Sequence, residues 1–309
     1  MTILVTGGLG YLGSRLIRDL PDHPRFSGET IRILDNYRQP RFHSLWDLPS
    51  YGAYEFVEGD VRDSEDVSDA MENVETVFHL AAITNAPETF DIPEKTWDVN
   101  YEGALNVYKS ALGAGVDEFV NVSTCSVYGQ TTEEITEEFD CDPESPYGEA
   151  KLEAEQEMLD DHEGDMGLTA LRLGTVYGWT RGMRFDTVVD KFALLAATGQ
   201  PLTVYEGAED QQRPYLHVQD AVNSMLFAPG NLGDGEAYNV VGQNGRLQDV
   251  VDAIVEHFPG VDVGYTEVEH LNQLSYVVSD EKIRSHGFET AHTLDQGVAE
   301  LADKFRALK

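Results

Sequence analysis

Short apolar runs alternate with helical patterns along the first part of the chain. The runs are rich in Val, Ile and Leu and lie at residues 2–5, 31–34, 54–57, 77–80, 119–123 and 168–172. Uninterrupted apolar runs of this length are typical of strands that are buried on both faces of a parallel sheet. The intervening stretches are long enough for crossover helices, so the pattern predicts an α/β fold.

The C-terminal half continues with helical periodicity and fewer strand-like runs. Apolar spacing predicts helices at 96–112, from Pro146, at 187–197, from Asp220, at 247–257 and at 294–308. Strand-like runs lie at 238–241 and 261–268. No internal repeat or low-complexity segment interrupts this order.

Composition narrows the class of protein. A chain of 309 residues, 41% of them hydrophobic, can bury a large core as one domain or as two lobes. No apolar run approaches the ~20 residues of a membrane span. The sequence begins directly with a strand, so we expect no signal peptide and a cytoplasmic location. The two cysteines, Cys125 and Cys141, predict neither a disulfide framework nor a metal site.

The charge is strongly negative, with 56 acidic against 21 basic residues and a net charge of −35. Such a charge repels nucleic acid and anionic membranes, so neither is an expected partner. The acidic residues are spread along the whole chain rather than gathered in a tail. Because concentrated salt screens self-repulsion, the charge predicts a halophilic protein.

A glycine-rich turn follows the first predicted strand. Residues 2–13 read T-I-L-V-T-G-G-L-G-Y-L-G, and Gly8, Gly10 and Gly13 give the spacing G-x-G-x-x-G. Glycines permit the tight turn and let a pyrophosphate approach the backbone, while the following helix presents free N–H groups. Such a turn also occurs in α/β proteins that bind nothing there, but its position straight after the first strand favours a dinucleotide site.

An acidic residue stands where a dinucleotide site would place one. Asp35 ends the second predicted strand, 22 residues after Gly13. A carboxylate at this distance accepts hydrogen bonds from the adenosine ribose and repels a 2′-phosphate, which favours NAD over NADP. Arg38 lies nearby and leaves NADP open as an alternative.

A tyrosine and a lysine form a second candidate site. Tyr147 lies in the first turn of the helix that Pro146 opens, and Lys151 follows four residues later on the same helix face. An ammonium beside a phenol is expected to lower the phenol pKa, so that Tyr147 can act as an acid or base. The hydroxyl-rich strand end S-T-C-S-V-Y-G, at 123–129, precedes the pair.

Together these motifs resemble the extended short-chain dehydrogenase/reductase family of nucleotide-sugar epimerases and dehydratases. The resemblance spans nearly the whole chain. Its motifs are T-G-G-L-G-Y-L-G (6–13), Asp35-Asn36, Gly59-Asp60-Val61, His79-Leu80-Ala81-Ala82, Asn100, S-T-C-S-V-Y-G (123–129), P-Y-G-E-A-K (146–151), L-R-L-G-T-V-Y-G (171–178), R-P-Y-L-H-V-Q-D (213–220), Tyr238-Asn239-Val240, S-D-E-K-I-R-S-H-G-F (279–288) and L-D-Q-G (294–297). It implies a doubly wound Rossmann sheet at 1–173, to which 214–242 returns, and a smaller substrate-binding lobe from 174–213 and 243–309.

The resemblance also implies roles for individual residues, an NAD cofactor and no metal. Tyr147 would be the acid/base, Lys151 would tune it and bind the nicotinamide ribose, and Thr124 would hydrogen-bond the reacting sugar. The implied cofactor-binding residues are Gly7, Gly10, Tyr11, Leu12, Gly13, Asp35, Asn36, Asp60, Val61, Leu80, Ala81, Ala82 and Asn100, with Tyr147 and Lys151. Thr124, Thr175 and Arg213 would bind a nucleotide-sugar substrate. Helices 96–112 and 147–162 would form a homodimer interface.

Two departures from the family pattern bear on the reaction. The 4,6-dehydratases place Asp-Glu after the threonine, where this chain has Cys125-Ser126, which argues against dehydration. The segment 268–274 lacks the late arginine of many UDP-hexose epimerases, and Arg181 or Arg184 are candidate replacements. The first interpretation is a nucleotide-sugar 4-epimerase. A net dehydrogenase or reductase is the second, and a non-catalytic dinucleotide-sensing module is the third.

Overall fold

The computed structural model describes residues 1–162, 164–267 and 275–308. The strands are β1 (Thr2–Thr6), β2 (Thr30–Asp35), β3 (Ala53–Glu58), β4 (Val74–His79), β5 (Glu118–Thr124), β6 (Glu134–Ile135), β7 (Gly167–Leu173), β8 (Thr175–Tyr177), β9 (Leu202–Tyr205), β10 (Gln212–His217), β11 (Glu236–Val240), β12 (Gln243–Arg246), β13 (Val263–Thr266) and β14 (Val277–Val278). The helices are α1 (Gly13–Asp19), α2 (Ser64–Ala70), α3 (Ala86–Thr89), α4 (Pro93–Trp97), α5 (Gly103–Ala114), α6 (Pro146–Asp160), α7 (Val188–Ala197), α8 (Val218–Phe227), α9 (Leu247–His257), α10 (Glu281–Ser285) and α11 (Leu294–Phe305). No described helix is long and apolar enough to span a bilayer.

A seven-stranded sheet forms the centre of the molecule, in the order β11-β7-β5-β4-β1-β2-β3. All of its neighbouring strands are parallel, which confirms the α/β prediction and the doubly wound Rossmann topology. Every residue of β1 is buried, because helices cover both faces of the central strands. The edge strand β3 is largely exposed, contrary to the burial predicted for the run at 54–57, because it is paired on one side only, with β2.

The carboxyl ends of the central strands meet at one edge of this sheet. Thr6 of β1 lies in register with Leu34 of β2 on one side and with His79 of β4 on the other. Thr124 of β5 pairs with Leu173 of β7 in the same way. Parallel strands in register release their following loops at the same edge, and the order reverses between β1 and β4. A ligand site is therefore expected beyond β1 and β4.

A smaller unit packs beside this edge. β12, β10 and β8 form a three-stranded sheet, and β9 pairs with β13. Helices α7, α9 and α11 cover an apolar core that contains Val189, Val250 and Val298. Most of β10 lies in 214–242, the segment predicted to return to the main sheet, and the other elements lie within 174–213 and 243–309. The strand predicted at 261–268 is shorter in the structure, and residue 268 lies outside the described residues.

The C-terminal segment divides its contacts between the two units. Strand β11, which lies within 214–242, joins the main sheet beside β7. Ile283 of α10 and Phe288 also pack in the core of the main sheet, with Val222 of α8. The segment after 275 therefore ties the smaller unit to the larger one, and the domain boundary within 243–309 stays a prediction.

Candidate active site

A cavity of about 1240 Å³ extends along the carboxyl edge of the main sheet. The predicted cofactor residues that line it are Gly7, Gly10, Tyr11, Leu12, Gly13, Asp35, Asn36, Asp60, Val61, Leu80, Ala81 and Ala82. The predicted catalytic and substrate residues that line it are Thr124, Tyr147, Lys151, Thr175 and Arg213. The fold thus brings both predicted sites into one space, and its size exceeds that of an ordinary single-ligand pocket.

The glycine turn is packed so closely that two of its positions have no room for a Cβ atom. A Cβ on Gly7 would lie 2.8 Å from the backbone of Ala81, and Gly7 has a φ of +68°, which favours glycine. A Cβ on Gly13 would lie 2.5 Å from the Gly7 carbonyl oxygen. At Gly10 the nearest neighbour of a Cβ is 3.0 Å away, so this position is less confined by the protein itself. A backbone cradle of this kind fits a pyrophosphate.

Asp35 connects the end of β2 to the glycine turn. Its Oδ2 accepts a hydrogen bond from the Leu9 N–H at 3.1 Å, and its Oδ1 accepts one from the Tyr37 N–H at 3.0 Å. Burial raises the pKa of the Asp35 carboxyl, and these two backbone donors oppose the shift. Arg38, which left NADP open, forms an ion pair with Glu88, so its charge is partly neutralised within the protein.

Two predicted cofactor residues contact each other at the far end of the cavity. The Asn36 side-chain amide donates to Asp60 Oδ2 at 2.9 Å. Arg62 donates to both carboxylate oxygens of Asp60, and these bonds hold the Asp60 pKa well below its usual range. Asp60 therefore stays ionised at any physiological pH, with its charge paired to Arg62.

Asn100 is the exception among the predicted cofactor residues, because it does not line the cavity. Its amide oxygen accepts from the Ile83 N–H at 2.7 Å, and its amide nitrogen donates to the Ile83 carbonyl at 2.9 Å. Asn100 lies in a π-helical segment, Asp98–Glu102, which joins α4 to α5. These bonds fix the loop after β4, and the predicted contact of Asn100 with the cofactor stays a prediction.

His79 is a packed histidine at the end of β4. It is completely buried, and its Nδ1 lies 2.9 Å from the Thr6 hydroxyl. Burial, aided by the charge of Lys151, lowers the pKa of His79 to about 3. A neutral histidine here supports the ends of β1 and β4 without offering a charge to the cavity.

Thr124, Tyr147 and Lys151 lie at the reactive end of the cavity. Thr124 is the last residue of β5, and its Oγ1 accepts from the Ser126 N–H at 3.1 Å. Helix α6 begins after its N-cap Ser145, whose hydroxyl accepts from the Gly148 N–H at 3.2 Å. This cap fixes the first turn of α6, so Tyr147 and Lys151 face the cavity together.

The pKa of Tyr147 is shifted in the opposite direction to the sequence-based expectation. Burial raises the pKa of the phenol, while a hydrogen bond from Thr124 and the charge of Arg184 oppose that rise. Burial also lowers the pKa of Lys151 to about 8, against the charge of Glu155. The expected lowering of the Tyr147 pKa is therefore wrong for the protein residues alone, because desolvation outweighs the Thr124 hydrogen bond and the charge of Arg184.

The residues after Thr124 offer no strong acid or base. Cys125 is buried, its thiol lies 3.3 Å from the Arg172 carbonyl oxygen, and burial strongly raises its pKa. The Ser126 hydroxyl lies 3.2 Å from Thr124 Oγ1. This pair cannot supply the carboxylic acid and carboxylate that were expected for a 4,6-dehydratase.

Arg184 rather than Arg181 lines the cavity. Arg184 donates to the Thr84 hydroxyl at 2.8 Å, and its charge reaches Tyr147. Arg181 points away and pairs with Asp47 at 2.7 Å. Of the two candidates for the missing arginine, only Arg184 is therefore placed to meet a substrate. The segment 268–274, from which that arginine is missing, lies outside the described residues.

Tyr276 is a cavity residue that the sequence analysis did not identify. It lines the cavity, and the Arg213 guanidinium lies 5.3 Å from the centre of its ring. Burial raises the pKa of Tyr276 to about 12, so it stays neutral. No local motif marks this tyrosine, and only its packing against Arg213 indicates a place beside the substrate.

Comparisons with known proteins show which proteins this chain resembles. The model of the NAD-dependent epimerase/dehydratase family matches residues 3–241. The low-salt glycan biosynthesis protein Agl12 of Haloferax volcanii is 27% identical, over 99% of this chain and 98% of its own length. A UDP-glucose 4-epimerase of Streptomyces lividans is 30% identical over 77% of each chain. The crystal structure of Thermus thermophilus UDP-glucose 4-epimerase with NAD superposes with a TM-score of 0.86 at 27% identity, covering 99% of each chain.

Proposed function

Because the chain belongs to the NAD-dependent epimerase/dehydratase family, with NAD as the expected cofactor, we propose that it is a nucleotide-sugar 4-epimerase. The observation that supports this most directly is the single cavity, in which Thr124, Tyr147 and Lys151 lie opposite the glycine turn. A 4-epimerase needs one positioned acid/base and a retained cofactor, and no second acid pair. Relatives of this chain include UDP-glucose 4-epimerases at 30% identity.

The residues of this chain divide the work as follows. A bound NAD would supply the acceptor for the C4 hydride and the donor for its return to the opposite face of the sugar, with a transient 4-keto sugar between the two transfers. Tyr147 Oη takes the proton of the C4 hydroxyl and later gives it back. Thr124 Oγ1 orients that hydroxyl, and Lys151 supplies a positive charge that favours the phenolate. Arg213 binds the diphosphate of the nucleotide.

The raised pKa of Tyr147 makes the neighbouring cations necessary to this mechanism. The charge of Arg184 already lowers the phenol pKa. The nicotinamide ring of oxidised NAD carries a further positive charge and acts in the same direction. Lys151, whose pKa is about 8, is protonated at neutral pH and becomes neutral in alkaline solution. The site is thus prepared for proton removal mainly when the oxidised cofactor is present.

The reaction is tested by the fate of the cofactor. UDP-, GDP- and dTDP-hexoses are incubated with the NAD-loaded enzyme in molar KCl, the products are resolved by NMR, and absorbance is followed at 340 nm. A 4-epimerase converts each accepted sugar to its C4 epimer without steady NADH accumulation. Accumulating NADH would instead identify a net dehydrogenase. A panel with neither product nor NADH would leave only dinucleotide binding.

We also propose that the protein is a homodimer that requires salt. Trp97 and Phe90 are exposed apolar side chains near the helix that was predicted at the dimer interface, with exposures of 37% and 61%. The net charge of −35 opposes association unless salt screens it. Sedimentation in 0.1 M and 2 M KCl tests both statements, and a folded monomer in both buffers would contradict them.

A further inference from the structure

A buried hydrogen-bond cluster joins the glycine turn to the smaller lobe. Tyr11, which follows Gly10, directs its hydroxyl to the Gly178 carbonyl oxygen at 2.6 Å and to Asp190 Oδ2 at 2.9 Å. Asp190 Oδ1 accepts from the Gly178 N–H at 3.0 Å. Asp190 belongs to α7 and is completely buried, and Tyr11 is 6% exposed. None of the proposed chemical steps uses this carboxyl.

The same segment of the lobe passes directly over the turn. The Gly182 N–H donates to the Ser14 hydroxyl at 2.8 Å. A Cβ on Gly182 would lie 2.4 Å from the Gly10 carbonyl oxygen. The stretch from Gly178 to Gly182 is therefore in direct contact with the turn that lines the cofactor end of the cavity. Separation of this stretch from the turn would uncover the turn.

The hydrogen count in the cluster favours the protonated form of Asp190. The Tyr11 hydroxyl has one hydrogen but lies within bonding distance of two acceptor oxygens. If it donates to the Gly178 carbonyl, the contact with Asp190 Oδ2 requires a proton on the carboxyl. If Asp190 is ionised and receives the Tyr11 hydrogen, the phenol oxygen and the Gly178 carbonyl oxygen face each other at 2.6 Å without a hydrogen. The protonated form therefore satisfies one more hydrogen bond than the ionised form.

We propose that Asp190 is a positioning residue which, in its protonated form, latches the lobe onto the glycine turn and slows the release of NAD. The proposal rests on NAD binding. It explains how the protein retains the cofactor that the proposed function requires. It assigns no role to Asp190 in the transfer of hydride. Below, the Tyr11–Asp190–Gly178 cluster is called the latch.

The surroundings of Asp190 place its titration in the physiological range. Burial raises the pKa of Asp190 to about 7, against the Gly178 N–H, the Tyr11 hydroxyl and the charge of Arg184. Asp186 adds to the rise. Tyr177 of β8 also faces Asp190, and Glu300 of α11 faces Tyr11, whose own pKa stays well above its usual value. Because the folded-state pKa is raised, the latch is complete in acid and weakens as the pH rises through about 7.

The test measures NAD release rather than turnover. Holoenzyme is mixed with an excess of isotopically labelled NAD in molar KCl, and the loss of unlabelled NAD is followed from pH 6 to pH 9. Asp190→Asn reproduces the neutral pattern, because its amide donates to the Tyr11 oxygen and its carbonyl accepts from Gly178. Asp190→Ala and Tyr11→Phe each remove the latch. Circular dichroism and thermal midpoints report whether each variant is folded.

We expect the ratio of the wild-type release rate to the Asp190→Asn rate to rise about tenfold between pH 6 and pH 9, the effect of about one hydrogen bond. This ratio cancels the titration of other groups, Lys151 included. Tyr11→Phe should release NAD about tenfold faster than wild type at pH 6. The release rate of this variant should not change as Asp190 titrates, because the latch is already broken. Should Asp190→Ala fail to fold, Tyr11→Phe alone tests the effect of removing the latch.

Two outcomes overturn the latch: a wild-type to Asp190→Asn ratio that is constant with pH, or release from Tyr11→Phe at the wild-type rate. A protein that does not bind NAD overturns the latch and the proposed function together. Slow, pH-dependent release combined with no epimerisation would instead leave the latch standing and refute only the proposed reaction. The two proposals are therefore distinguished by separate readouts.

Discussion

The two ends of the cavity are built in different ways. The cofactor end is made mostly of backbone and strand ends, with Gly7, Gly13 and Asp35 fixed by close contacts with their neighbours. The substrate end is made of long side chains from separate segments, among them Arg184, Arg213 and Tyr276. Backbone cradles tolerate little change, whereas side chains can be exchanged while the fold is kept. This difference explains how one scaffold can keep NAD and vary its sugar.

Tyr147 lies where the two ends meet, and its substitution should have the largest effect on turnover. Tyr147→Phe removes the acid/base and keeps the ring, so we expect kcat to fall by about a thousandfold, within the usual range for such a group. NAD content should not change, because the cofactor end is intact. Initial rates and bound NAD after gel filtration measure the two quantities. Tyr205→Phe, on an exposed residue of β9, is the matched control. Retained activity in Tyr147→Phe would remove this residue from the mechanism.

NAD affinity should fall when the backbone packing at the cofactor end is disturbed. In Gly13→Ala the new Cβ would lie 2.5 Å from the Gly7 carbonyl oxygen and 2.6 Å from Gly8 Cα. Because backbone atoms must move, we expect NAD affinity to fall by about a hundredfold and the thermal midpoint to drop. Calorimetric titration with NAD and thermal unfolding are the measurements.

Gly113→Ala is the control for this change. Gly113 lies in α5, where a Cβ would meet nothing within 4 Å. Alanine should stabilise this helix slightly and leave NAD affinity unchanged. Equal losses of NAD affinity in Gly13→Ala and Gly113→Ala would show that the turn has no special part in binding.

A substitution at the substrate end should have a smaller effect on the kinetics and should leave NAD bound. Arg184→Ala removes a cation from the cavity, so we expect KM for the nucleotide sugar to rise about tenfold, the weight of one charge-assisted hydrogen bond. The acidic limb of the kcat/KM profile should also move to higher pH, because the charge of Arg184 lowers the Tyr147 pKa. Arg181→Ala, three residues away and paired with Asp47, should change neither value. Identical kinetics for the two variants would remove Arg184 from the substrate site.

Local residue patterns were sufficient for the architecture and for most of the cavity lining. Strand bounds differed from the apolar runs by a few residues, as at β4, which begins at Val74 rather than Val77. Two glycines of the predicted spacing, Gly10 and Gly13, line the cavity together with Asp35, Tyr147 and Lys151. Such features depend on contacts between residues close in sequence. The regular geometry of helices and strands determines which face each residue occupies from its spacing along the chain.

Only the tertiary structure could decide what burial and distant contacts do to these residues. Asn100 is paired with Ile83, Arg184 lines the cavity while Arg181 does not, and desolvation raises the pKa of Tyr147. Tyr11 and Asp190 are 179 residues apart and meet across two lobes. The sequence by itself determined the sheet, the glycine turn and the Tyr–Lys pair. Solvent exclusion and side-chain packing between distant segments determined which side chains are charged, which line the cavity, and which join the two lobes. These properties depend on contacts between residues far apart in the chain, so no local spacing of residues predicts them.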